Sequence, residues 1–433
     1  MPPDVRKGFA FPIRFQLQRG CASHRRLSLL QMWVSRRKAE GFPHIRRPSR
    51  IQAMADSLEG IIESYNPGKP LTEASTIPSA WYTDERVFRL EQETVFSRSW
   101  QVAARADQFN KRGDYVTSEI AGEPIVIVRG NDDEARGFFN VCRHHAAAVM
   151  TEAEGHATQM RCPYHGWTYS LEGELKGTPD FNDVCGFDRS ENGLLPVEIA
   201  SWEKWIFARL VDNSKQSLED FLGADLIDQI QAIGSSNLHW FERRRYTLNC
   251  NWKVFVDNYL DGGYHVPHLH KGLDSVLDYS EYTIENGERY CLQSSPMVGR
   301  PTNSFRGGLP PADEEIGDVR GGERALYYWL YPNFMMNYYQ GVLDTNLVLP
   351  ITIDRTEVIF DFYFADVSAA ARERNLKSVN VGERIQQEDV RICESVQRGL
   401  NSRAYQTGRL SARREAGEHL FHRLLHADLT ISS

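Results

Sequence analysis

The sequence predicts an α+β chain in two unequal parts, a β-rich domain followed by a larger domain that mixes helix and sheet. Three observations predict it. Short strand-like runs with turn-rich breaks, DYVTSEIAG, EPIVIVRG and ARGFFNVC, follow one another up to about residue 212. After Ser214 the texture changes: a helical stretch, SLEDFLGADLIDQIQAI, precedes strand-like ALYYWLYPNFMMNYYQ and DTNLVLPITIDRTEVIFDFYFADV. Near the end, VGERIQQEDVRICESVQRGLNS reads as a long helix.

In chain order, residues 1–53 read as a leader. They carry twelve Lys/Arg against two acids, Asp4 and Glu40, whereas the whole chain has net charge −8. A basic, acid-poor start with Leu27, Leu29, Leu30, Met32, Trp33 and Val34 among arginines suits an organelle transit peptide, with cleavage expected near residues 50–57. Residues 54–110 read as a helical N-terminal part of the second domain, through DERVFRLEQETVFSRSW, and 111–212 as the β-rich domain. Residues 213–433 form the larger domain, with a Gly/Pro-rich loop expected over 296–325. The acidic body argues against nucleic-acid binding. No run of eighteen uncharged apolar residues occurs, so no membrane span is expected. Seven scattered cysteines without a secretory signal argue against a disulfide framework.

Two of those cysteines stand beside histidines, in CRHHAAAVMTEAEGHATQMRCPYHGW. Structural zinc usually draws C-x2-C or H-x3-H pairs, whereas each pair here mixes one thiolate with one imidazole: Cys142/His144 and Cys162/His165. That set suits a two-iron cluster, with two thiolates on one iron and two neutral imidazoles on the other; the loss of negative charge raises the cluster's potential. His145 reads as a neighbour of the set or a surface residue, and His156 as a loop residue. The stretch CRHH…CPYHGWTYSLEG resembles a Rieske [2Fe–2S] domain.

The segment NWKVFVDNYLDGGYHVPHLHKG offers His265, His268 and His270. On an unbroken helix His265 and His270 point about 140° apart. Pro267 interrupts the helix, and a broken helix brings the two to one metal. Two histidines and one carboxylate leave open positions on a non-haem iron. Val381, Ile385, Ile392 and Val396 form an apolar stripe on the C-terminal helix, and Asp389 falls on it, so Asp389 is the expected carboxylate. Glu388 is the weaker alternative, and Glu394 faces away.

Together the two sites resemble the large subunit of Rieske-type non-haem iron oxygenases, over about residues 70–430. NWKVFVDNYLDGGYHVP, ALYYWLYPNFMMNYY, DTNLVLP and CESVQRGL are most similar to plant choline monooxygenases. The resemblance implies a Rieske β-domain plus a helix-grip catalytic domain with an antiparallel sheet. It also implies a Rieske cluster and a mononuclear Fe(II), ferredoxin as electron donor, and conversion of choline to betaine aldehyde hydrate. The expected compartment is the chloroplast stroma, with the mitochondrion as the alternative. A homo-oligomeric ring, a trimer foremost, passes the electron between subunits. The family's acidic bridge points to Asp257 or Asp261, with Asp261 next to the iron histidines; many relatives place the acid where this chain has Gly262. Asn258 matches an asparagine common near the iron.

A quaternary ammonium is held by aromatic faces. Among Tyr279, Tyr282, Tyr327, Tyr328, Trp329, Tyr331, Phe334, Tyr338 and Tyr339, strand alternation nominates Trp329, Tyr331 and Phe334 as substrate-pocket residues. The chain departs from the plant pattern at NYYQGVLDTN, where Tyr338 replaces an arginine and Val342 a tryptophan, and at YHVPHLH. Carnitine or glycine betaine is therefore an alternative substrate. A non-catalytic Rieske electron carrier is the distant alternative, and it needs no second iron.

Overall fold

The computed structural model describes residues 57–211, 216–298 and 314–430. The expected leader lies outside them, as does half of the expected loop over 296–325; within that loop, Glu314–Val319 is helical. Among the described residues no helix is long and apolar enough to cross a membrane.

The first sheet has seven antiparallel strands, in the order Gln101–Arg105, Trp205–Arg209, Pro196–Trp202, Ala135–Phe139, Glu123–Arg129, Asp114–Ile120 and Glu154–His156. The strand Gln101–Arg105 lies ahead of the boundary expected at residue 111. It pairs with Trp205–Arg209, so the sheet closes its own edge with a segment from before the domain. A small three-stranded sheet, Met160–Arg161, Thr168–Tyr169 and Leu175–Gly177, carries the second cysteine loop.

The second sheet is a seven-stranded antiparallel array in the order His239–Leu248, Arg355–Phe364, Val342–Thr352, Phe334–Tyr339, Arg324–Leu330, Tyr290–Pro296 and Thr283–Asn286. Successive side chains on a strand face opposite ways, and both faces are apolar because both are covered. Tyr328, Leu330, Phe334, Met336 and Tyr338 pack with Trp100, Trp205 and Phe207 at the first sheet. Trp329 and Met335, on the other face, pack under helices, as do Tyr327 and Tyr339.

Three helices position the second site. Helix α1 (Trp252–Leu260) starts at Asn251, whose side chain accepts the Lys253 N–H. Lys253 and Glu91 form a fully buried ion pair of 2.5 Å beneath it, and Trp252 Nε1 also donates to Glu91. Helix α2 (Arg372–Leu400) lies alongside α1, and α3 (Ala416–Thr430) packs against α1 as well.

Candidate metal centres and substrate cavity

The first centre sits on two loops with the same hydrogen-bond frame. Cys142 N–H donates to the Ala147 carbonyl and Cys162 N–H to the Trp167 carbonyl, while Ala146 N–H and Gly166 N–H return to the Cys142 and Cys162 carbonyls. Ala146 and Gly166 both take positive φ, 61° and 72°, which closes each loop. Both thiols are buried, whereas His165 is exposed and His144 half-buried. The His144 and His165 rings lie 4.7 Å apart, and His144 stacks on Trp167 at 4.6 Å and 5°. His144 Nδ1 is buried with no hydrogen-bond partner. A buried lone pair beside a second imidazole and two inward thiols is a donor set, and it fits a cluster with Cys2His2 ligation. Tyr169 Oη lies 3.4 Å from Cys142 Sγ and accepts the Arg143 N–H. Burial pushes the Cys162 thiol up. His145 is exposed, and its ring lies 4.1 Å from that of His144. His156 ends a strand rather than lying in a loop, because Asp114 opposite accepts from its Nδ1 at 3.1 Å.

The second centre forms where α1 breaks. Gly262 and Gly263 take φ of 69° and 67°. A Cβ on Gly262 would stand 2.0 Å from the Arg414 carbonyl oxygen, so no acid fits there. The acid sits one residue earlier: Asp261 accepts the backbone N–H groups of Tyr264 and His265 and meets His265 Nδ1 at 2.6 Å. The chain then makes the short helix Val266–Leu269, with Pro267 in its first turn, and delivers His270. His265 and His270 rings lie 4.8 Å apart, and donor atoms of His265, His270 and Asp389 all lie within 4.8 Å of one another.

Asp389 Oδ1 receives Asn258 Nδ2 at 2.9 Å and His270 Nε2 at 3.1 Å. Glu388 contacts His270 Nδ1 at 2.6 Å, which leaves Nε2 as the inward nitrogen. Burial pulls the His270 imidazole down, but the hydrogen bonds and charges of Asp389 and Glu388 outweigh it and raise its pKa. Two imidazoles and one carboxylate, each steadied by a neighbour, fit a mononuclear iron. His268 is exposed and stands apart from this set. Asp257 faces elsewhere, bonded to Tyr82 Oη and to His422 Nε2 of α3.

The expected stripe on α2 holds at Val381, which is buried, and at Ile385, which packs beside it, and needs correction at its other end. Ile392 and Val396 are 38% and 43% exposed, while Gln386, Asp389, Cys393 and Gln397 carry the buried face. Gln397 on this face accepts the Asn251 N–H, while Val379, Cys393 and Leu400 join the apolar core, so the face is mixed rather than a single apolar stripe. Glu394 does face away from Asp389, toward Asn249.

A cavity of about 110 Å³ opens beside the second centre. Tyr259, Tyr282, Tyr327 and Tyr339 line it together with the three candidate iron residues. Arg320 and Asp344 also line it, joined by an ion pair of 2.7 Å with both side chains buried. Trp329, Tyr331 and Phe334 do not reach it. Trp329 shares a face with Tyr327, but farther along the strand, where it packs on Phe421 of α3 at 5.5 Å. Tyr331 donates to Asp428 of α3, and Phe334 points to the opposite face against Trp205. Tyr259 was missed because nothing in a helical tyrosine marks it, although Phe255 one turn earlier also lines the cavity. Arg320 lies within the stretch over 296–325 that reads as loop, where nothing singles it out.

Comparison with known proteins agrees with this geometry. Residues 99–188 match the Rieske [2Fe-2S] domain, and residues 235–430 match the ring hydroxylating alpha subunit (catalytic domain). The chain is 38% identical over 394 residues to chloroplastic choline monooxygenase of Arabidopsis thaliana, covering 89% of this chain and 90% of that protein. It is 31% identical over 350 residues to the carnitine monooxygenase oxygenase subunit of Escherichia coli, covering 78% and 88%. A solved quaternary ammonium Rieske monooxygenase superposes with a TM-score of 0.73 at 27% identity, over 85% of this chain and 98% of that one. The chain belongs to the Rieske-type non-haem iron oxygenases, as a monooxygenase with a Rieske [2Fe–2S] cluster and a mononuclear iron.

Proposed function

We propose that the chain hydroxylates choline to betaine aldehyde hydrate, using O2 and reduced ferredoxin, as the first step toward glycine betaine. The observation that carries this reading is the four-tyrosine wall beside His265, His270 and Asp389. A quaternary ammonium donates no hydrogen bond and is held by ring faces, at about 0.5–2 kcal/mol each. Asp344 neutralises Arg320 in the same cavity, which removes the repulsion a lone guanidinium would exert on a cationic substrate. The departures from the plant pattern fall elsewhere: Tyr338 packs on the opposite face of the sheet, Val342 in the core, and His268 at the surface. The relatives bearing choline and carnitine monooxygenase names support the substrate class.

In this reading Cys142, Cys162, His144 and His165 hold the cluster, and His265, His270 and Asp389 hold the iron. When bound, the cluster supplies single electrons and the iron supplies the site of O2 reduction. Asp261 and Glu388 fix the tautomers of His265 and His270, so each presents Nε2. Asn258 holds the Asp389 carboxylate in place. The tyrosines set the ammonium so that the C–H beside the substrate hydroxyl faces the ligand set. One oxygen atom enters that C–H bond, the other leaves as water, and two electrons and two protons are consumed. Asp261 also serves as the acidic bridge to a neighbouring subunit's cluster in a trimeric ring, and the basic leader directs the chain to the chloroplast stroma.

The test is product formation under O2 with reduced ferredoxin, on choline, carnitine and glycine betaine in parallel. Betaine aldehyde from choline alone is the expected result. Turnover of carnitine or glycine betaine instead retires the choline assignment and keeps the iron chemistry.

A further inference from the structure

One buried side chain on the cavity wall has no partner. Gln386 is 2% exposed and lines the cavity, yet among the described residues its amide makes no hydrogen bond, and its Nε2 is buried. Every other polar side chain on that wall makes at least one. The four tyrosine hydroxyls in particular are engaged: Tyr327 with Tyr339 at 3.1 Å, Tyr282 with Gln293 at 3.3 Å, and Tyr259 with Asn337 at 2.7 Å. What the tyrosines offer a ligand is therefore ring face. Buried polar groups are paired as a rule, so an orphaned amide on a cavity wall points to a ligand atom.

The place of the amide selects which atom it meets. Gln386 precedes Asp389 by three residues on α2, and side chains so spaced are neighbours on a helix, about 5–6 Å apart at Cβ. Gln386 thus stands at the iron end of the cavity. A second unpartnered donor, Arg320 Nε, stands farther along. Its guanidinium donates to the Ser378 carbonyl, and a Cβ on Gly382 would stand 3.3 Å from its Nη2. Gly382 is about 10 Å from Asp389 along the helix axis, beyond reach of an oxygen on a carbon held at the iron. The chemistry of the amide selects further. A primary amide both donates and accepts, and a hydroxyl matches both groups. A carboxylate only accepts and leaves the Gln386 carbonyl unmatched.

We infer that Gln386 is the hydroxyl-binding residue of the cavity: Nε2–H donates to the substrate oxygen, and Oε1 accepts the substrate O–H. This rests on the choline reading and deepens it. With the ammonium against the tyrosine rings, a hydroxyl held by Gln386 brings its own carbon toward His265, His270 and Asp389. The cavity then selects trimethylammonium alcohols over trimethylammonium alkanes of the same size.

The experiment measures binding of choline and of propyltrimethylammonium, in which a methyl replaces the hydroxyl, to the holoenzyme without reductant, by isothermal titration calorimetry. The unaltered protein is expected to bind choline more tightly by about 5- to 150-fold, the range for a buried polar group left unmatched. Gln386→Met keeps the length of the side chain and removes its amide. There the ratio is expected to fall to about 1, with choline carrying the loss and propyltrimethylammonium bound as before or more tightly. If that variant does not fold, Gln386→Asn, which draws the amide back by one carbon, is expected to lower the ratio in the same direction. Weakening of both ligands by one factor, as a purely structural role would give, overturns the inference. So does a ratio that matches the unaltered protein, or no preference for choline in the unaltered protein itself. Product analysis under O2 with reduced ferredoxin keeps the two readings apart. Betaine aldehyde formed without a Gln386-dependent preference overturns the hydroxyl site and keeps the substrate. The preference without betaine aldehyde overturns the reaction and keeps the site.

Discussion

The two metal centres are built in opposite ways. The first hangs on two β-loops that repeat one hydrogen-bond frame, its thiols buried, His144 half-buried and His165 exposed. The second is assembled from a helix break and a distant helix, and each imidazole has its own carboxylate behind it. A centre that exchanges electrons with partners needs an edge at the surface. A centre that selects a substrate needs a wall around it. Exposure divides the two as their tasks do.

The largest expected effects separate the centres. Asp389→Ala is expected to lower turnover by more than about 100-fold, beyond the 10–100-fold usual when a supporting residue is lost. Metal analysis should show the mononuclear iron gone, with the visible spectrum of the cluster unchanged. Cys162→Ala should do the converse: no cluster spectrum, iron retained at the second centre. If either change empties both centres, they are not independent and the contrast fails.

A second test uses the buried pair under α1. Lys253→Met leaves Glu91 in the core without its countercharge, with Trp252 Nε1 still donating to it, and is expected to destabilise the protein by about 3–5 kcal/mol. Thermal melts followed by tryptophan fluorescence and by cluster absorbance will show whether the catalytic part loosens first.

Next come the carboxylates behind the histidines, which have no counterpart at the first centre among the described residues. Asp261→Asn and Glu388→Gln are each expected to cost about 10–100-fold in iron affinity or turnover. Asp261→Asn should also slow reoxidation of the cluster by O2 in the presence of substrate, whereas Glu388→Gln should not. Equal effects on that electron step would remove Asp261 from the bridging role.

The smallest effects concern the wall. Loss of one ring, as in Tyr339→Ala, is expected to raise KM for choline about 2- to 30-fold, the equivalent of about 0.5–2 kcal/mol. Tyr338→Phe, one residue away on the opposite face of the sheet, should leave KM unchanged. Steady-state kinetics on the two variants decides between cavity and core.

The same contrast explains what could be read from sequence. All four residues of the first centre fall between Cys142 and His165, so their spacing is the site. His265 and His270 were equally local, and Pro267 and the two glycines announced the break. Asp389 is reachable only through helix periodicity, and the apolar stripe holds only at its start: Val381 is buried and Ile385 packs beside it, whereas Ile392 and Val396 lie outside and Cys393 and Gln397 carry the buried face there. For Trp329 and Tyr331 the face was right and the position along the strand was wrong, since α3 covers that end of the sheet. Which part of a two-sided sheet becomes a cavity depends on where helices stop, and no strand pattern records that.

The clamp on Gly262 has a consequence for biogenesis. The carbonyl that presses on this turn belongs to Arg414, so the iron loop cannot reach its final shape until that residue has left the ribosome. Every strand of the first sheet and both cysteine loops lie at or before Arg209. On a growing chain the cluster loops are complete with about half the protein still to be made, and the place for the lone iron is finished almost last.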